Sequence, residues 1–306
     1  MYDAVIIGGG PAGLNAALIL GRCRRSVLVC DSGDYRNAAS HGLHGFLTRD
    51  GCDPAEFLRI AREQLQPYGV EFRHVFVADA RRSDDGFEVI LRDGTSLSCR
   101  KLLIATGVVD RIPEVEGMRE FYGRSVFHCP YCDGWEMRDQ PLAVYGRGKN
   151  GASLSLALKT WSEDVILCTD GPSGLKIGDL AQLSRFGVAV REARITRLEG
   201  NGGVLERIVF TSGDSLPRRG LFFSTGQEQR CQLAGRLGCH FTSKGTVRTN
   251  RLEGTSVPGL FVAGDASRDV QLAIVAAAEG AKAGFAINRA LEEEAVARNQ
   301  NVSFQT

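Results

Sequence analysis

Cys129-Pro130-Tyr131-Cys132 is the one C-x-x-C in the chain, and Asp133 follows it directly. Two cysteines at that spacing can close a disulfide or bind a metal, and an adjoining carboxyl can shuttle protons to and from a departing thiolate. A zinc site asks for four ligands, yet the other cysteines stand singly and Cys231 to Cys239 lacks knuckle spacing. His128, Cys231 and His240 would be recruited only by chance of folding, so a redox pair is the favoured reading and no metal is expected. A helix opening at Cys132 would lower its thiol pKa. Nine cysteines, an odd number, do not form a secreted disulfide framework, and the single ones read as small buried apolar residues.

Glycine marks a second chemistry. Asp3 to Ile7 is an apolar run of buried-strand length, and G-x-G-x-x-G follows at Gly8, Gly10 and Gly13, with Pro11 and Ala12 inside it. A helix to about Cys23 and a strand from Ser26 to Cys30 lead to Asp31, 18 residues beyond Gly13. That is the spacing of a dinucleotide-binding βαβ unit: the glycines let a pyrophosphate approach the backbone, the helix N-terminus favours its charge, and the acid accepts from a ribose. The plan then recurs. Leu142 to Tyr145 is a strand, Gly146, Gly148 and Gly151 repeat the motif, a helix runs to about Trp161, and Val165 to Cys168 precedes Asp170.

The elements between these motifs are also readable. Asp53, Pro54 and Glu56 make a helix start, and Pro67 and Gly69 close that helix. Phe87 to Arg92 and Thr95 to Cys99 flank the hairpin signal Asp93-Gly94, and Leu102 to Ala105 is the next strand, running into Thr106-Gly107. Gly213-Asp214 and the strand Leu221 to Ser224, ending in Thr225-Gly226, repeat that order. Leu260 to Ala263 runs into Gly264-Asp265, and an Ala-rich helix follows from about Gln271 to Leu291. This last stretch has no partner in the second copy and is assigned back to the first. The expectation is an α/β chain of two Rossmann-like, three-layer ββα domains: 1–116 plus 245–306, and an inserted 117–244 carrying the C-x-x-C. Residues from about Glu294 onward are expected to be a polar, mobile tail.

Composition narrows the classes. With 306 residues, two domains are expected. Lys and Arg number 37 against 36 acids, so the net charge of +1 gives no excess with which to grip nucleic acid. The uncharged stretch from Ala4 to Gly21 is broken by three glycines and a proline and has no positive region before it, so neither a membrane span nor a signal peptide is expected, and the setting is read as cytoplasmic. A thiol pair beside dinucleotide sites points to two-electron traffic, and the cofactor that exchanges electrons with a dithiol two at a time is a flavin.

The segments GGGPAG at 8–13, ATG at 105–107, CPYCDG at 129–134, GRGKNG at 146–151 and GD at 264–265 resemble, in order and over nearly the whole chain, the low-molecular-weight thioredoxin reductases. The resemblance implies FAD in the split domain, contacted by Gly8, Gly10, Gly13, Asp31, Gly107 and Asp265. Gln271 stands where the family has Arg-Gln, with Val270 in the arginine position. It further implies Cys132 as the flavin-facing thiol, Cys129 as the substrate-facing one, Asp133 as acid/base, a homodimer, and rotation of the inserted domain.

NADPH-dependent members carry His-Arg-Arg where this chain has Thr169-Asp170-Gly171; Asp170 would repel a 2′-phosphate, although Arg147 and Lys149 leave the loop attractive to a pyrophosphate. RNAASHGLHGFLTRDG at 36–51 with CPYCDGWE at 129–136 resembles the pyridine-nucleotide-independent branch, which includes dithiol oxidases and diflavin-linked disulfide oxidoreductases. That resemblance implies electron flow from dithiol to flavin, room for a second FAD at the Gly146 to Gly151 loop, and His41 and His44 near the flavin. Asp133 stands where the oxidases often have His. The expected function is therefore an NADPH-independent flavin disulfide oxidoreductase, with an NADPH-dependent thioredoxin reductase as the alternative. An NADH-dependent reductase and a non-enzymatic flavoprotein stay open, and Phe304 is a candidate to stack on a flavin.

Overall fold

The computed structural model describes residues 1–268 and 270–303; Phe304 lies outside the described residues. The first apolar run folds as β1 (Tyr2–Ile7), turns at the glycines and enters α1 (Pro11–Arg22), with proline in the first turn, where its missing N–H costs nothing. β2 (Val27–Asp31) pairs parallel to β1, Ala4 opposite Val27 and Ile7 opposite Cys30. α2 (Pro54–Glu63) starts at Asp53, whose carboxylate accepts the Glu56 N–H at 2.9 Å. β3 (Glu71–His74), β4 (Val77–Ser83), β5 (Gly86–Leu91) and β6 (Ser96–Ile104) follow.

The chain then leaves through β7 (Val108–Asp110) and α3 (Met118–Phe121) to β8 (Val126–Phe127) and α4 (Pro130–Asp133). The second copy comprises β9 (Leu142–Tyr145), α5 (Gly148–Leu158), β10 (Val165–Cys168), α6 (Ile177–Arg185) and β11 (Ala189–Arg191). The antiparallel β12 (Ile195–Asn201), β13 (Val204–Phe210) and β14 (Ser215–Pro217) lead to β15 (Gly220–Phe223). The return runs through β16 (Gln227–Gln229) and α7 (Leu233–Arg236) to β17 (Leu260–Val262) and α8 (Ala273–Ser303).

Two sheets dominate. One has the order β3-β2-β1-β6-β5-β4, with β17 also on β6; the other is parallel, with the order β11-β10-β9-β15-β8. In the second, α5 and α6 cover one face through Leu158 and Leu183, and the β12–β14 meander covers the other through Leu198, Ile208 and Phe210, giving the three-layer ββα build. The two copies are alike down to the fifth strand. The slot that β17 fills beside β6 is filled beside β15 by β8, which precedes its copy instead of following it. β7 and β16 pair antiparallel as a two-stranded ribbon where the chain passes between the sheets.

Two expectations about elements are corrected. The strands read as Thr95 to Cys99 and Leu102 to Ala105 are one strand, β6. Its first half pairs antiparallel with β5 and its second half lies parallel between β1 and β17, so the exposed-then-apolar switch in its sequence reflects a change of neighbours, not a break. Residues 294–303 continue α8 as helix, anchored at Glu294, which accepts from Arg100 (2.7 Å) and Lys101. The α1–α8 contact is close: a Cβ on Gly280 would lie 1.9 Å from the Ala12 carbonyl oxygen.

Candidate active site

The first glycine turn is shaped for a dinucleotide. Gly8 holds φ +109°, and a Cβ there would meet the Ala105 oxygen at 2.4 Å; one on Gly13 would meet the Gly8 oxygen at 1.9 Å. Those two glycines make the tight turn and the close helix–strand packing. Gly10 differs, because nothing lies within 4 Å of where its Cβ would stand, which leaves room for a phosphate against the backbone. No side chain caps the α1 N-terminus, so its free N–H groups and dipole are left for an anion.

Gly8, Gly10, Pro11, Ala12, Asp31, His44, Thr106, Gly107, Gly264, Asp265 and Gln271 line one cleft together with Cys132 and Asp133. Gly13 sits behind this lining, and His41 is exposed outside it, although the sequence placed it with His44. Asp31 is buried: its Oδ1 accepts the Gly9 N–H at 2.9 Å and its Oδ2 accepts the Tyr35 hydroxyl. Gly264 is fixed from α8 by Glu279, which accepts its N–H at 2.8 Å. The donor set, the open space at Gly10 and the uncapped helix fit a dinucleotide such as FAD.

Cys129 and Cys132 form a disulfide, Cα atoms 5.3 Å apart. Cys129 caps α4 and Cys132 is the third residue of that four-residue helix, so Cys132 does not open a helix as expected and gains little from a dipole. Only Cys132 of the two lines the cleft. Burial, reinforced by nearby Glu136, pushes the Asp133 carboxyl up to about 7, which suits a group that exchanges protons with thiols near neutrality. Glu136 also approaches His44 of the opposite loop, at 3.6 Å. On the outer side Tyr131 and Trp135 are exposed at 75% and 64%, an apolar border beside the disulfide.

The structure adds residues that the motifs did not single out. Arg36 spans Asp110, Asp265 and Gln271. Burial would raise the Asp110 carboxyl, but the bonds from Arg36 and Tyr122 hold it below its ordinary value, so it is an acceptor. Tyr122 therefore gives its proton to Asp110 Oδ2 (3.1 Å), and its oxygen faces Nδ1 of His128 at 3.0 Å. Burial pushes His128 down to about 4, so the ring is neutral, carries its proton on Nδ1 and leaves Nε2 an acceptor. No local spacing announces these contacts, which join residues 6 to 235 positions apart. Of the single cysteines, Cys30, Cys99, Cys168 and Cys239 are buried as expected, and burial pushes Cys30 up to about 11 and Cys99 and Cys168 up to about 12. Cys23, at the end of α1, is exposed and Cys52 and Cys231 are half-buried, which corrects that reading for these three.

The second glycine loop is built differently from the first. Gly148 already donates its N–H to the Ser173 oxygen at 2.8 Å. Arg147, which the sequence left free for a pyrophosphate, folds back: Nε donates to the Thr169 oxygen at 2.7 Å and Nη2 to the Asp170 oxygen. The Asp170 carboxylate accepts the Ile195 N–H at 2.8 Å and the Tyr145 hydroxyl at 3.1 Å. Gly146 and Gly151 are packed on each other, a Cβ on Gly146 meeting the Gly151 Cα at 3.1 Å.

Comparison with known proteins agrees with this architecture. Residues 2–280 match the pyridine nucleotide-disulphide oxidoreductase family. The thioredoxin reductase tcpT of Claviceps purpurea is 35% identical over 279 residues, 87% of this chain and 86% of that protein. Among solved structures, HlmI superposes with a TM-score of 0.95 at 37% identity, covering 99% of this chain and 96% of that one. An oxidoreductase from Agrobacterium tumefaciens gives 0.88 at 34%, covering 95% and 98%. With two Rossmann-like sheets, a dinucleotide cleft and a disulfide at its edge, the chain belongs to the pyridine nucleotide-disulphide oxidoreductase family, as a thioredoxin reductase-like, FAD-containing disulfide oxidoreductase.

Proposed function

We propose that this enzyme oxidises dithiols, with electrons entering at Cys129–Cys132 and leaving through FAD, and that it uses no pyridine nucleotide. The observation that carries this reading is the closed second glycine loop. Its Gly148 N–H, the Arg147 guanidinium and the Asp170 carboxylate, which would serve a nicotinamide dinucleotide, are all engaged by the chain's own groups. The same closure favours a single FAD over two. That the Claviceps relative is named a thioredoxin reductase favours the alternative, a thioredoxin reductase, which in this reading would be NADPH-dependent.

In this reading Gly8, Gly10, Pro11, Ala12 and Gly13 serve the FAD pyrophosphate, Asp31 its adenosine end, and Thr106, Gly107, Gly264, Asp265, Gln271 and His44 the remainder. A substrate thiolate attacks Cys129 Sγ, forming a mixed disulfide and releasing Cys132 as a thiolate. The second substrate thiolate attacks the substrate sulfur of that mixed disulfide, so oxidised substrate leaves and Cys129 becomes a thiolate. The two substrate thiols lose two protons in these steps; Asp133 accepts one and the other passes to solvent. Bound in the cleft beside Cys132, FAD would supply the two-electron acceptor that lets the Cys129–Cys132 dithiolate close again to the disulfide.

The division into 1–116 plus 245–306 and 117–244 belongs to the same proposal, with one shift. Leu233, Ala234 and Cys239 are buried in one cluster with Val5 and Leu102, which supports placing the return crossing at the β7–β16 ribbon. So do the homodimer that the resemblance implies and the cytoplasmic setting read from the sequence; among the described residues no helix is long and apolar enough to cross a membrane. Calorimetric titration of the FAD-loaded protein with NADPH and NADH tests the reading. The expected result is no binding tighter than about 1 mM, and one FAD per chain released on denaturation. Micromolar NADPH binding, or two FAD per chain, contradicts it.

A further inference from the structure

Arg36, in the loop after β2, turns its whole guanidinium inward. Nε and Nη2 fork onto Asp110 Oδ2 and Oδ1 at 2.8 and 2.6 Å, and Nη1 donates to Asp265 Oδ2 and Gln271 Oε1 at 2.7 Å each. Nη2 also reaches Gln227 Oε1 at 3.3 Å. Asp110 and Gln227 lie on the two strands of the ribbon between the sheets, whereas Asp265 and Gln271 line the cleft. From Asp110 the chain of bonds continues through Tyr122 to His128, the residue before Cys129. Burial opposes the Arg36 charge, yet the bonds and charges of Asp110 and Asp265 hold its pKa above the ordinary value. A planar fork can meet these partners at once; the single ammonium of a lysine cannot.

We propose that Arg36 is a positioning residue that couples FAD binding to the placement of the disulfide. It holds Asp265 and Gln271 of the cleft in register with the ribbon and, through Asp110, Tyr122 and His128, with the segment carrying Cys129 and Cys132. Loss of Arg36 leaves buried Asp110 without its cation, and loss of the Tyr122 hydroxyl frees His128 from the ribbon. This inference rests on FAD occupying the cleft and Cys132 facing it, but not on the direction of electron flow.

The test uses Arg36→Lys, Arg36→Met, Tyr122→Phe and the double variant Arg36→Met/Tyr122→Phe. FAD affinity is measured by adding FAD to the FAD-free proteins. The thiolate–flavin charge-transfer absorption, which reports Cys132 against the ring, is measured after anaerobic reduction by dithionite. Both Arg36 variants are expected to bind FAD about tenfold or more weakly, the loss typical of charged hydrogen bonds. Arg36→Lys keeps this arm decisive if Arg36→Met does not fold. Tyr122→Phe is expected to keep the unfolding temperature of the FAD-free protein and to lose about half or more of the charge-transfer intensity, with no further loss in the double variant because both substitutions break one chain. Unchanged FAD affinity in the Arg36 variants, full charge-transfer intensity in Tyr122→Phe, or additive losses in the double variant overturns the proposal. Neither measurement uses a dithiol or a pyridine nucleotide, so the outcome is independent of the titrations that test the proposed function.

Discussion

Asp133 holds its proton up to about 7 because burial strips water from the carboxylate and Glu136 adds a second negative charge nearby. As the base of thiol oxidation it works only when ionised. The rate of flavin reduction by a dithiol should therefore rise with pH through a midpoint near 7, and Asp133→Asn should lose that midpoint and slow the step about a hundredfold. Stability moves the other way. The folded-state pKa lies above the unfolded one, so the native protein holds an extra proton between about 4 and about 7 and loses stability as pH rises across that window. Thermal unfolding should show Asp133→Asn gaining on the unsubstituted protein from pH 5 to pH 8, by about 3 kcal/mol at most. His128, pushed down to about 4, has the opposite sign and adds stability as pH rises towards its ordinary value; the variant difference isolates Asp133 from it. The two cysteines should separate as well. Dithiols should bleach the flavin in neither Cys129→Ser nor Cys132→Ser, but only Cys129→Ser, which keeps the cleft-lining thiol, should show the charge-transfer absorption.

Helix α8 carries more of the site than its composition suggests. It holds Gly264 through Glu279, and it lies so close to α1 that Gly280 and Gly284 replace side chains with backbone contact. Gly280→Ala puts a methyl where the Ala12 oxygen stands, and α1 is the helix whose N-terminus faces the cleft. The substitution should lower stability by about 1 to 3 kcal/mol, read as a fall in unfolding temperature, and should weaken FAD binding in the same preparation. If unfolding temperature and FAD affinity are both unchanged, the contact is not as tight as it stands here. Strand β6 makes a related point about pairing. Cys99 lies opposite Tyr2 on one side and Phe87 on the other, and the strand becomes wholly apolar only from Leu102, where β17 joins it.

At the scale of the whole molecule, much was legible because it depends on local steric and electrostatic demands. Glycine spacing, the Asp53 cap, the Asp93-Gly94 turn and the C-x-x-C each act within a few residues, and the repetition of strand, loop and helix announced two like units. What the sequence hid depends on distant parts of the chain. Nothing near Val126 says that β8 will take the fifth place in the second sheet, and nothing near Arg36 names Asp110 and Asp265 as its partners. The two glycine loops read alike and neither helix has a side-chain cap, yet in the second the Gly148 N–H is already given to the Ser173 oxygen and Arg147 is folded back onto the Thr169 and Asp170 carbonyls. That difference is the centre of the functional account, and one anaerobic titration tests it most directly. The purified yellow protein is titrated with NADPH, then NADH, then a dithiol, while the flavin band is followed. The account predicts that neither nucleotide bleaches the band and that the dithiol does; rapid bleaching by NADPH would contradict it.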